Sequence, residues 1–296
     1  MFRNLSPAGL GISGSQSELI ELSMSHGYRG LDLDLAEFVQ RVATSNLATA
    51  RRFLDSARLK LGSFRLPLEI EADEAAFQQQ LEQLKPQIEM MSQVNCNRAV
   101  YWIKPASDEQ PFHSSFENHR KRLQAVGELL APYNVRLAVG FQPTADLRAD
   151  HRFQFIHDLS QLLILLSSVS ASNVGLLVDP WAMAVAGNGL DGLAKLPAER
   201  IVAVHLSDLP EGVVAAEAKS SQRRLPGESN QVDCAATLTR LAESGYDGPV
   251  TLVADRDAYS DKSREGYLKL SRERFDQVWK DAGLGPTGKL AAKVGS

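Results

Sequence analysis

The sequence has few cysteines, no long apolar runs and no excess of basic charge. Two cysteines in 296 residues, Cys96 and Cys234, allow at most one bridge, which excludes a disulfide-stapled fold and favours small buried thiols. No window approaches the roughly 18 consecutive apolar residues of a membrane span, and the richest stretch, 162–166, is cut off by Ser167 and Ser168. Lys and Arg total 32 against 36 Asp and Glu, a formal charge of -4, so the basic stripe of a nucleic-acid binder is missing. The opening MFRNLSPAGLG lacks the charged-then-apolar layout of a secretory signal, and a cytoplasmic protein is expected. No internal repeat or linker is visible. With 44% hydrophobic and 23% charged residues, the composition is that of an ordinary globular chain.

What is present is an alternation. Apolar runs at 9–12, 30–35, 60–66, 99–103, 135–141, 174–178, 201–206 and 250–253 read as strands, continuous enough to be parallel and covered on both faces. Amphipathic stretches at 16–25, 43–57, 73–91, 114–131, 153–170, 190–195, 234–244 and 262–282 read as helices. Ser15 is placed to cap the first, Gly27 and Gly245 to end helices, and Pro86 to kink or divide the third. Eight strand–helix units in roughly 280 residues match an α/β fold of the (β/α)8 type, the TIM barrel. An open doubly wound sheet would need a phosphate-cradling glycine motif after its first strand, and GLGISGS at 9–15 is a poor one. One barrel domain is expected over 1–282, followed by a flexible tail at 283–296 rich in glycine.

In such a barrel chemistry sits at the carboxyl ends of the strands. Asp32 and Asp34 alternate with leucines and share one face of the second strand; helix capping is the plainer alternative. Asp179 closes VGLLVD before Pro180 and Trp181, where an Asp-Pro turn is an equally ordinary reading. His205 and Asp208 close IVAVHLSDLP. A carboxylate and an imidazole on successive strand ends suit a divalent ion, but two ligands do not complete a site. Arg65, Lys104, Gln142, Arg224 and Asp255 follow other strands, where a cation holds a phosphate or hydroxyl or is only a solvated rim charge.

These blocks resemble the xylose isomerase-like superfamily of sugar isomerases and epimerases, from about residue 6 to 282. The resemblance rests on VGLLVDPWAMAVAGN, IVAVHLSDLP, LPGESNQVDCAATLTRLAESGYDGPVTLVAD and SQSELIELSMSHGYRGLDLDL. It implies a barrel whose mouth holds one ion of manganese, magnesium, cobalt or zinc through two Glu, one Asp and one His, a glutamate removing a proton beside a carbonyl to give an enediolate. Carried over by position, the Asp falls on Asp179 and the His on His205. The two glutamates fall on Gly140 and Val253, and a second family histidine on Ala182. The family's metal site is therefore expected to be largely lost. Because strand residues two apart share a face, a weak relocated site of Asp179, His205, Asp255 and Gln142 is the remaining way to hold a metal. The expected protein binds a small sugar, sugar phosphate or polyol with Trp181, Arg224, Lys104, Asp32 and Arg65, and His205 and Asp179 carry any acid–base chemistry. The alternative is a non-catalytic binding or regulatory barrel. A homo-oligomer is expected by analogy; nucleic acid and membrane partners are not, and the related abasic-site endonucleases need more histidines than these six.

Overall fold

The structure is a computed structural model and describes residues 1–291. Its first strand, Phe2–Leu5, lies parallel between the second, Gly30–Leu31, and the eighth, Pro249–Leu252. The eighth pairs with the seventh, Ile201–Leu206, then follow the sixth, Val174–Val178, the fifth, Arg136–Gly140, and the fourth, Arg98–Trp102. The third strand comes in two pieces. Lys60–Leu61 pairs with the second strand and Phe64–Arg65 with the fourth, so both ends of the ladder belong to one stretch and the sheet closes on itself. The TIM barrel is thus present, ringed by helices whose buried faces form the main core.

The barrel interior has two halves. Toward strands four to seven, Val100, Ala138, Leu177, Val202 and Ala203 form a small apolar cluster of their own. Around strands one, two, three and eight the filling is polar: Asn4 Nδ2 donates to Asp32 Oδ1 at 2.7 Å and to Thr251 Oγ1 at 3.1 Å. Ser63 donates to the same Asp32 oxygen through its backbone N–H at 2.7 Å and its hydroxyl at 3.0 Å. Burial pushes the Asp32 carboxyl up from its ordinary pKa, and the bonds from Ser6, Asn4 and Ser63 oppose that shift. Gly62 makes this cluster possible, because a Cβ there would lie 2.4 Å from the Asn4 amide.

Several boundaries differ from the sequence reading, each for a local reason. The first strand is not 9–12: Ala8–Leu10 is a 3-10 turn. The true strand, FRNL, escaped the apolar test because its polar residues are satisfied on both sides. Arg3 reaches outward to Asp276 at 2.6 Å and over the Trp279 ring at 5.2 Å, and Asn4 points inward. Asp34 is not a second strand-face carboxylate; it caps the helix Leu35–Thr44 by accepting from Glu37 N at 2.8 Å. The helix expected at 43–57 is two, Leu35–Thr44 and Leu47–Ala57, the second capped by Asn46. The stretch 153–170 opens with the short strand Phe153–Gln154, paired antiparallel with Ala106–Ser107, before the helix Leu159–Ser167. Leu190–Lys195 is 3-10 rather than α. Pro86 does not divide its helix: Glu74–Gln93 runs through it, held on both sides by the buried stripe Phe77, Leu81, Leu84, Ile88 and Met91. Ser15 forms the expected cap as a full capping box with Glu18.

Of the segment expected to be a tail, residues 283–291 fold back on the chain start. Leu284 is buried and bridged to Leu290, Trp279 Nε1 donates to Gly285 O at 3.0 Å, and the amino terminus donates to Gly288 O at 3.3 Å. Residues 292–296 lie outside the described residues. Cys96 and Cys234 are both buried and free. Among the described residues, no helix is long and apolar enough to cross a membrane.

Candidate functional site

The sixth strand, buried along its whole length, ends at Asp179. Its carboxylate serves two structures at once. Oδ1 accepts from Ala182 N at 3.1 Å, capping the short helix Pro180–Val185, which has Pro180 at its first position. The same carboxylate receives a two-pronged contact from Arg223: Nη1 to Oδ1 at 3.2 Å and Nη2 to Oδ2 at 2.7 Å. The guanidinium lies over the Trp181 ring, 4.0 Å from its centre, and its Nη1 donates again to Ser207 Oγ at 3.1 Å. The Ser207 hydroxyl in turn donates a hydrogen bond to Val253 O at 2.5 Å, which ties the seventh strand's end to the eighth.

His205, the seventh strand's inward residue, is only 7% exposed, and its Nε2 has no hydrogen-bond partner among the described residues. Its ring lies 5.6 Å from that of Trp102 at the end of the fourth strand. Burial lowers its pKa to about 4; the Asp179 carboxylate pulls the other way and Arg223 adds to the lowering. The imidazole is therefore uncharged at neutral pH. Because the folded value lies below the ordinary 6.5, the unfolded chain takes up this proton first as pH falls. The associated stability is fully present above pH 6.5 and is lost progressively down to about pH 4. The loss amounts to at most about 3 kcal/mol. Thermal melts between these limits should show His205→Asn losing less stability than the wild type on acidification. Parallel pH profiles would mean that another group sets the acid limb.

The loop after the seventh strand is folded by Asp208, which is fully buried. Its backbone pairs in both directions with Arg224, N–H to O at 2.8 Å and 2.9 Å. Its carboxylate accepts from Leu209 N, Ser229 N, Ser229 Oγ, Asn230 N and Val232 N. That pairing holds residues 223 and 224 extended, so their side chains leave on opposite faces.

Together these elements enclose a cavity of about 340 Å³ at the carboxyl ends of the strands. Arg65, Lys104, Gln142, Asp179, Trp181 and His205, all singled out from the sequence, line it. Besides Asp34 and Asp208, already placed as a helix cap and a loop anchor, three others do not. Asp32 sits in the polar cluster inside the barrel, and Asp255 caps the turn Arg256–Tyr259, accepting from Asp257 N at 3.2 Å. Arg224 turns away to Glu228, 3.4 Å from Nε to Oε1, and its neighbour Arg223 enters the cavity instead. Of the four residues expected to relocate a metal, then, Asp179, His205 and Gln142 line the cavity and Asp255 does not. Among the described residues, no three His, Cys, Asp or Glu side chains converge as a metal would need.

The two positions onto which the resemblance carries the family glutamates, 140 and 253, both belong to this region. Val253 lines the cavity. A Cβ on Gly140 would point at Leu177 Cδ2, 2.9 Å away, and Trp102 Cδ1, 3.0 Å away, so the Trp102 indole stands where a side chain at 140 would begin. Ala182 is fully buried and does not line the cavity. Sequence reasoning missed Arg223 and Trp102. The available signals were the doubled arginine of QRR and a glycine at a strand end, next to which a large side chain finds room.

The family model for the xylose isomerase-like TIM barrel matches residues 20–277. The chain belongs to that family. Within it, the chain is 23% identical over 210 residues to an inosose isomerase of Halalkalibacterium halodurans, covering 70% of each protein. It is 25% identical to a solved xylose isomerase domain protein from Alicyclobacillus acidocaldarius subsp. acidocaldarius, with a TM-score of 0.84 over 95% of this chain and 99% of that one. The IOLI protein, solved with a bound zinc atom, shares the fold at 15% identity and a TM-score of 0.78, over 96% and 98% of the two chains. In this xylose isomerase-like barrel, the cavity lined by Asp179 and His205 occupies the face on which TIM barrels carry their active sites.

Proposed function

We propose that this xylose isomerase-like barrel binds a sugar or polyol in the cavity at its strand ends, and that the divalent-metal site the family implies is lost in it. The observation that carries this reading is the Asp179–Arg223 pair. Both carboxylate oxygens of the expected ligand accept from a guanidinium, whose positive charge stands beside them in place of an ion. The donor set agrees: positions 140 and 253 offer no side-chain oxygen, and Trp102 fills the space beside the first. These residues do not fit a divalent cation. A ligand in the cavity would meet the His205 ring, the Gln142 amide, the indole walls and the N–H groups of Arg223 left over from its bonds to Asp179 and Ser207. His205 and Asp179 would carry any proton transfer, with Arg223 or Lys104 beside a developing oxyanion.

A second reading, a binding or regulatory barrel without turnover, is favoured by one further observation. Both carboxylates lining the cavity are held by cations: Asp179 by Arg223, and Glu69 by Lys104 at 2.5 Å, so neither stands free as a base. Calorimetric titration with Mn²⁺, Co²⁺ and Zn²⁺ should give no saturable binding in the micromolar range, while heats from binding sugars and polyols should be the same with and without a chelator. Stoichiometric metal uptake abolished by Asp179→Ala would overturn the reading. Exchange of a bound sugar's α-proton in D₂O, followed by NMR, separates the two versions: exchange makes the barrel an isomerase or epimerase, and its absence makes it a binder.

A further inference from the structure

The cavity's lining carries one more positive than negative charge, which Glu71, pairing with Lys104 from outside the lining, offsets away from Arg65. Three cations and two anions face it: Arg65, Lys104 and Arg223 against Glu69 and Asp179. Arg223 is spent on Asp179. Lys104 is spent on Glu69 at 2.5 Å and on Glu71 at 3.6 Å. Arg65 is left over. Its guanidinium rests 6.0 Å from the centre of the Trp102 ring and, among the described residues, has no carboxylate within ion-pairing distance and no hydrogen bond. A second, independent group also waits for a partner: His205, more than nine-tenths buried, lines the same cavity, and its buried Nε2 has no hydrogen-bond partner among the described residues. Arg65 is exposed and His205 is buried, so the two mark the mouth and the floor.

We propose that the ligand is a small polyhydroxylated anion, whose carboxylate or phosphate is bound by Arg65 at the mouth while a hydroxyl or carbonyl oxygen meets His205 on the floor. This rests on the preceding reading that the cavity is a sugar or polyol site. A cavity of about 340 Å³ takes a molecule of the size of one sugar ring with such a group. The physical case is the geometry of guanidinium: its planar fork matches two oxygens of a carboxylate or phosphate and gains little from a lone hydroxyl. The indole beneath it limits its freedom, and the low-dielectric walls of Tyr101, Trp102 and Trp181 focus its charge into the opening.

The test is calorimetry at low ionic strength with three probes, D-sorbitol, D-gluconate and D-glucose 6-phosphate, on the wild type and on Arg65→Ala and Arg65→Lys. Apart from its long contact with the Trp102 ring, the exposed Arg65 side chain makes no hydrogen bond or ion pair among the described residues, so both variants should melt close to the wild type. At least one anionic probe should bind about ten- to a hundredfold more tightly than sorbitol. Arg65→Ala should erase that preference, Arg65→Lys should keep part of it, and the preferred anion tells carboxylate from phosphate. Equal binding of sorbitol, or a preference that survives Arg65→Ala, overturns this inference and leaves the sugar-site reading standing. No heat from any probe brings down both.

Discussion

Arg223→Met is expected to destabilise the fold by about 3 kcal/mol, toward the lower end of what breaking one side of a buried ion pair costs. The asymmetry of the pair sets that size. Asp179 is 5% exposed while the Arg223 side chain is 18% exposed, so the damage lies in the carboxylate left behind rather than in the lost guanidinium. Once Arg223 is gone, the Asp179 carboxylate keeps, among the described residues, the Ala182 N–H alone, the Trp181 face loses its cation, and Ser207 loses a donor. Methionine retains much of the aliphatic stem, so the loss reads charge and not volume. The decisive measurement is a double-mutant cycle in urea with Asp179→Asn. Removing both charges should cost much less than the sum of the single changes, because no uncompensated carboxylate remains. Additive single effects would mean that water screens the pair, and Arg223 would then not be the cavity's resident cation.

The second large effect is expected at Asp208. Asp208→Ala should cost about 4 kcal/mol or more, since its carboxylate alone holds the amides of Leu209, Ser229, Asn230 and Val232 and the Ser229 hydroxyl. Each amide that stays buried without a partner carries a penalty of about 1–3 kcal/mol, and the loop can rehydrate only by opening. Opening it also frees the Asp208–Arg224 bridge, which fixes Arg223 over Asp179. Limited proteolysis should therefore cut the variant within 209–232 well before the wild type, and sugar binding should fall with it. Should the alanine variant fail to fold, Asp208→Asn supplies the readout. It keeps the shape and must turn an amino group toward some of those N–H donors, giving an intermediate loss and the same cleavage site. Cleavage unchanged in Asp208→Asn would mean that the loop is held by something other than this carboxylate.

Much of the frame was legible because the interior strands are apolar without interruption. VGLLV and IVAVHL read as strands covered on both faces, and Asp179 and His205 beside their carboxyl ends were therefore candidates for the mouth of the barrel, where the cavity is found. Ser15 with Glu18 announced a helix start for an equally local reason, reciprocal bonds within four residues. Phe2–Leu5 was illegible because Arg3 and Asn4 find partners at Asp276 and at Asp32 and Thr251, remote in the sequence. The helix through Pro86 belongs to the same class: packing of Leu84 and Ile88 overrides a local breaker.

By itself the sequence determined the strand–helix rhythm of the barrel, apart from the place of its first strand, and singled out the two polar residues at the ends of the sixth and seventh. Such information is local, written in periodicity and in neighbours a few residues apart. Tertiary structure decided which of two adjacent arginines turns inward, since that depends on the register between Asp208 and Arg224. It also decided that Trp102 fills the space beside Gly140 and that Asp255 is spent on capping a turn. Those outcomes depend on where segments far apart in the chain come to lie against one another, and only the closed barrel specifies that.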